Sequence, residues 1–281
     1  MKNYKIERIL VAVDFSNFDQ SAVNTAAAIA KRQNAWLTII HVVPHDNPSD
    51  EDYKLSRDTL TNVHHVLKKI TSKIYRQFKV KADSMTDIGD PAEVICEVAT
   101  KEDHSIIVLG THGHSGIREK IGSVAYSIVE KAPCPVLVVP GEWDRLNFKK
   151  IVYPIRMHQK VFEKYNYIEP IIEKNNSELI IAGLAEKDAD DNIKETVFSI
   201  ELLRIMCQEE KISYRTIVLP CNHYSTKLID TVNNANADLI VISSHLDYDS
   251  IKNFIEHFAH DVLNRSKCPV LCISPLLKNK K

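Results

Sequence analysis

The strongest constraint on what this chain can fold into is that it is written twice. The segment RILVAVD, from Arg8, is answered 142 residues later by KIVYPIR, from Lys150. The same offset lines up IAKRQNAWLTIIHVVPHD, from Ile29, with IIEKNNSELIIAGLAEKD, from Ile171. Further along, HSIIVLGTH is matched by ADLIVISSH, and APCPVLVVP by SKCPVLCISP. Each half thus holds the same elements in the same order, and 281 residues suffice for two cores of ordinary size. The turn-rich PGEWDRLNF, Pro140 to Phe148, separates them. The seam is placed near Asp144, giving repeats over residues 1–144 and 145–281.

Within the first half, ILVAV and LTIIHVV are unbroken apolar runs rich in β-branched residues, as strands buried on both faces require, and SIIVLG and CPVLVVP read likewise. Between them the pattern predicts helices over Asp19 to Gln33, about Ser49 to Phe78, Pro91 to Lys101 and Gly122 to Lys131. Strand alternating with helix is the mark of a parallel sheet wrapped by crossover helices, so the fold class is α/β, twice over. The acidic PHDNPSDEDY reads as a solvated loop and helix entry.

Charge excludes some functions. With 36 basic and 37 acidic side chains the net charge is -1, which gives no field to gather nucleic acid or an anionic membrane. Only five apolar residues in a row precede Asp14, too few for a signal-peptide core, so a cytoplasmic location is expected. Six cysteines without CxxC spacing read as buried thiols.

Glycine is scarce but clustered: four of the seven lie between Val108 and Val139. In an open parallel sheet, ligands lodge at the carboxyl ends of strands where the winding reverses. Asp14 ends the first strand and Gly110 the fourth, so Asp14, the loop GTHGHSG and the end of the second strand, His41 to Val43, are expected around one crevice. The loop runs into GSVAYSIV, where the backbone N–H groups of Gly122, Ser123 and Val124, at the positive end of a helix dipole, suit an anion. Gly110 and Gly113 allow close backbone approach to phosphate, and the Ser123 hydroxyl adds a donor.

As a set, and in this order, VAVDFS, GDPAEVI from Gly89, GTHGHSG, GSVAYSIV and CPVLVV resemble the landmarks of universal stress proteins. The resemblance covers both halves. It implies two tandem Rossmann-like domains, each a five-stranded parallel sheet in the order 3-2-1-4-5 with helices on both faces. It also implies that the repeats pair as single-repeat members do when they dimerise; the fifth strands are the expected contact edges. Members that bind ATP carry Gly, two residues, Gly, nine residues, then Gly with Ser or Thr. On that pattern Gly110, Gly113, Gly122 and Ser123 fall on the phosphates, Asp14 on the adenine or ribose, and the Val42 backbone near the base, with Ala12, Leu109 and Val124 also in the site. The implied ligand is ATP, AMP or ADP, with or without magnesium. One departure stands out: eight residues, HSGIREKI, separate Gly113 from Gly122, which shortens the loop or turns its entry by about 100°.

The second half lacks these residue types. Ser243 and Leu246 stand where the two loop glycines were, Glu256 and His257 replace Gly-Ser, and Arg156 replaces Asp14. A carboxylate at an anion site repels phosphate, so this repeat is expected to hold no ATP.

Blander readings compete at single residues. Asp14, Ser16 or Asn17 could cap the following helix. His112 and His114, or His257 and His260 with Cys268 and Cys272, could be read as metal ligands, but the first pair lacks a third ligand and the two cysteines share a strand face, as core residues do. No nucleophile elbow, Walker lysine or pyrophosphatase loop is present, so a non-catalytic protein is expected. The rival functions are a scaffold that binds no nucleotide and a weak ATPase.

Overall fold

A computed structural model describes residues 4–16, 19–44, 57–111, 121–156, 162–244, 252–274 and 277. The chain forms two compact units, one chiefly Ile6–Arg118 with Gly122–Glu142, the other chiefly Trp143–Lys281.

The first unit runs β1 (Arg8–Ala12), α1 (Asp19–Gln33), β2 (Trp36–Val43), α2 (Arg57–Phe78), β3 (Ala82–Ile88), α3 (Pro91–Lys101), β4 (Ile106–Gly110), α4 (Ser123–Lys131) and β5 (Val136–Val139). Its strands lie in the order β3-β2-β1-β4-β5, all parallel, so the winding reverses between β1 and β4. The apolar runs become the central strands: Ile9, Leu10 and Val11 of β1 and Ile107 and Val108 of β4 are completely buried. The edge strand β3, ADSMTDI, has no such run because much of it remains in contact with solvent.

Helix α3 begins where the sequence places it. The Asp90 carboxylate accepts the Glu93 N–H at 2.9 Å, and Pro91 occupies the first turn, where a missing N–H costs nothing. Ahead of helix α1, whose bounds are Asp19–Gln33, Asp14 Oδ1 accepts the Ser16 N–H at 2.9 Å, closing a local turn.

The second unit repeats the plan with β6 (Lys150–Ile155), α5 (Glu163–Asn175), β7 (Glu178–Glu186), α6 (Asp190–Glu209), β8 (Tyr214–Cys221), α7 (Tyr224–Ala235), β9 (Leu239–Ser243), α8 (Lys252–Arg265) and β10 (Val270–Ile273). Its order is β8-β7-β6-β9-β10. Pro154 sits in a central strand, where it has no N–H to offer, and the β6–β9 ladder pairs only Ile151 and Val152. All six cysteines are free thiols; Cys268 and Cys272 are buried, and burial pushes both thiols up from their ordinary values. Among the described residues no helix is long and apolar enough to cross a membrane.

His104, just ahead of β4, is 1% exposed, and its Nε2 lies 3.9 Å from Glu102 Oε2, whose carboxylate is paired with Arg8. Burial, then the Arg8 charge, lowers its pKa below 6.5. The unfolded chain therefore takes up this proton first, and stability is lost as pH falls through about 6.5 toward the folded value. His104→Phe is expected to flatten that part of a denaturant-midpoint profile against pH; an unchanged slope would assign the loss to other groups.

Candidate functional site

Where the winding of the first sheet reverses, the strand ends open on a cavity of about 460 Å³, a volume typical of a small-ligand pocket. Ala12, Val13 and Asp14 come from the end of β1, Ile40 to Val42 from β2, and Leu109 and Gly110 from the end of β4. Pro91 and Ile95 of α3 and Val124 and Ile128 of α4, each pair four residues apart and so on one helix face, add an apolar wall. Pro44, Gly122, Ser123 and Ala125 complete the described lining.

The cavity thus has two characters. Most of its lining is hydrocarbon, suited to a flat aromatic group. At one side stands the start of α4, capped by Gly122 without any side-chain hydrogen bond, so its first amides have no partner within the helix. The sequence expectation needs one correction here: the Gly122 N–H is not free but donates to the Thr111 carbonyl at 3.0 Å. The amides that the start of α4 leaves without a partner in the helix continue with Ser123 and Val124, both exposed residues. Gly122 has an ordinary extended backbone, φ -64° and ψ 148°, so no unusual conformation calls for glycine at that point.

Of the nine residues expected in the site, eight line this one cavity: Ala12, Asp14, Val42, Leu109, Gly110, Gly122, Ser123 and Val124. The ninth, Gly113, and with it the shortened loop and His112 and His114, lies outside the described residues. Sequence reasoning missed most of the apolar wall. Val124 was expected there, but Pro91, Ile95 and Ile128 were not, although the spacing of Pro91 with Ile95 and of Val124 with Ile128 puts each pair on one helix face.

In the second unit the corresponding ground is occupied by the chain itself. Arg156, at the end of β6 where β1 has Asp14, places its guanidinium 4.4 Å from the Tyr224 ring centre and 5.5 Å from that of Phe258. Tyr224 opens α7 as Pro91 opens α3, and Phe258 follows His257 as Val124 follows Ser123. A cation between two rings is a stable arrangement in its own right. Behind it Lys164, 4% exposed, donates from Nζ to the Pro154 carbonyl at 2.7 Å and stands 4.5 Å from the Tyr153 ring centre. Burial, with Arg156 adding a like charge, brings its pKa down to about 7. Leu246 and the side chains of Glu256 and His257 lie outside the described residues.

The universal stress protein family model matches residues 5–140. The chain is 30% identical over 138 residues to universal stress protein A homolog 1 of Coxiella burnetii, a match spanning 47% of this chain and 95% of that protein. It is 28% identical over 151 residues to a universal stress protein of Bacillus subtilis, across 47% of this chain and 97% of the relative. Both repeats are covered by the crystal structure of a universal stress protein from Archaeoglobus fulgidus, at 16% identity and a TM-score of 0.77, over 96% of this chain and 97% of that one. That likeness is one of fold.

Proposed function

The chain belongs to the universal stress protein family, and we propose that its first repeat binds an adenine nucleotide while its second repeat binds none, the protein acting through the bound state and not through catalysis. The observation that carries this reading is the joining, in one cavity, of an apolar slot with the open amides of α4, so that a base and its phosphates are each met by matching chemistry. Among the described residues Asp14 is the sole carboxylate on the lining and suits a ribose hydroxyl or a base amino group. ATP, ADP and AMP share these features, and magnesium would enter with the polyphosphate.

Titration calorimetry of the full chain with ATP, ADP and AMP, with and without magnesium, tests the reading. One nucleotide per chain is the expected result. Absence of heat at millimolar nucleotide would overturn it in favour of a scaffold, and phosphate release that is lost on Ser123→Asp would make the protein a weak ATPase.

A further inference from the structure

Among the described residues Asp14 is the one carboxylate on the first-repeat lining, and it stands just past the end of β1. Its two neighbours in the chain are both held, and by the same side chain. His41 Nδ1 lies 2.8 Å from the Val13 carbonyl oxygen. A carbonyl can only accept, so Nδ1 carries the proton. The Val13 N–H meanwhile donates to the Ile40 carbonyl at 2.9 Å, so both polar backbone groups of Val13 are fixed by β2. On the other side of Asp14, the Phe15 ring stacks on the His41 imidazole, with centres 4.1 Å apart and planes 23° apart.

Phe15 needs such a hold. Its φ of +63° lies in the left-handed region, which bulky side chains rarely occupy unless the surroundings enforce it. The turn from Asp14 Oδ1 to the Ser16 N–H depends on that conformation. One imidazole therefore grips residue 13 by a hydrogen bond and residue 15 by its ring, with the carboxylate of residue 14 between.

We propose that His41 is a positioning residue for Asp14: through Val13 and Phe15 it fixes where the Asp14 carboxylate enters the pocket, and so sets affinity for the ligand that carboxylate touches. The inference rests on the reading of the pocket as an adenine-nucleotide site. A histidine that only stiffened the loop would affect stability without being coupled to Asp14 in binding.

The test is a double-mutant cycle on nucleotide affinity, read by calorimetry with AMP on the full chain. His41→Phe keeps the stack and loses the donor; His41→Asn keeps a donor at the Nδ1 position and loses the stack. Each is expected to weaken AMP by about 10-fold, His41→Phe through the lost hydrogen bond and His41→Asn through the lost stack. In an Asp14→Ala background, itself about 10-fold weaker, His41→Phe is expected to cost nothing more. Additive losses would overturn the proposal, as would a His41→Phe chain that binds AMP like the wild type. On the wild-type chain, ¹⁵N spectra of the imidazole should show a proton on Nδ1; a bare Nδ1 also overturns it. A wild-type chain that binds no adenine nucleotide refutes the site itself, a different failure from either of these.

Discussion

Lys164→Met is expected to raise the stability of the second repeat at neutral and mildly acidic pH, and to abolish a pH dependence that the wild-type chain shows above neutrality. Lys164 is 4% exposed, its amine donates to the Pro154 carbonyl, and the charge that acts on it most is Arg156, of the same sign. With a pKa brought from 10.5 to about 7, the charged form bears a folding penalty on the order of 5 kcal/mol. The folded value lies below the unfolded one, so between these two pH values the unfolded chain binds more protons and stability rises with pH. Below about pH 7 the penalty is fully present. Methionine has a similar length and no charge. The Pro154 carbonyl loses its donor, at a cost of about 1 kcal/mol, so a net gain of about 1–4 kcal/mol near pH 6 is expected. Denaturant midpoints at pH 6, 7.5 and 9 decide the matter. A variant less stable than wild type at all three would mean that the hydrogen bond outweighs the buried charge. The position itself tolerates an uncharged side chain in the sister repeat, where the residue 142 places earlier is the fully buried Ala22.

Lys164 also shows where the sequence stops being informative. The repeat, the parallel sheet and most helix bounds were legible because they depend on local patterns: β-branched runs for the inner strands, and Asp90 with Pro91 for the start of α3. Helix α1 spans Asp19–Gln33 as its pattern predicts. The edge strand β3 left no apolar run and β8 only the short Ile217–Leu219, since solvent takes much of both, and they entered only through family resemblance. The polar half of the pocket was legible from glycine spacing. The pairing of Gly122 N–H with Thr111 was not, because it depends on how a loop returns to its strand. Nor could one foresee that Arg156 would lie between Tyr224 and Phe258, residues far apart in the chain that the fold brings together. A buried lysine reads from sequence as an exposed one; only packing distinguishes them.

Ser123→Asp is expected to separate ligand binding from folding more sharply than any other change, because its two effects have opposite signs. Ser123 is the first residue of α4, and Gly122 before it supplies no side-chain cap. A carboxylate in the first turn favours the helix by about 0.3–1 kcal/mol through the dipole, so the variant should be slightly more stable than the parent. The same carboxylate stands at the amides proposed to receive phosphate. Two like charges about 4 Å apart at an effective dielectric of about 20 repel by roughly 4 kcal/mol, so affinity for ATP should fall on the order of 10³-fold. Adenosine, which has no phosphate, should bind the variant and the parent alike, since the apolar wall of Pro91, Ile95 and Ile128 is untouched. Raised salt should restore part of the loss for ATP and change nothing for adenosine. If Ser123→Asp bound ATP as tightly as the parent, the phosphates would lie elsewhere and α4 would have no part in holding them. If it lost ATP and adenosine equally, the substitution would have closed the pocket, and the charge argument would fail.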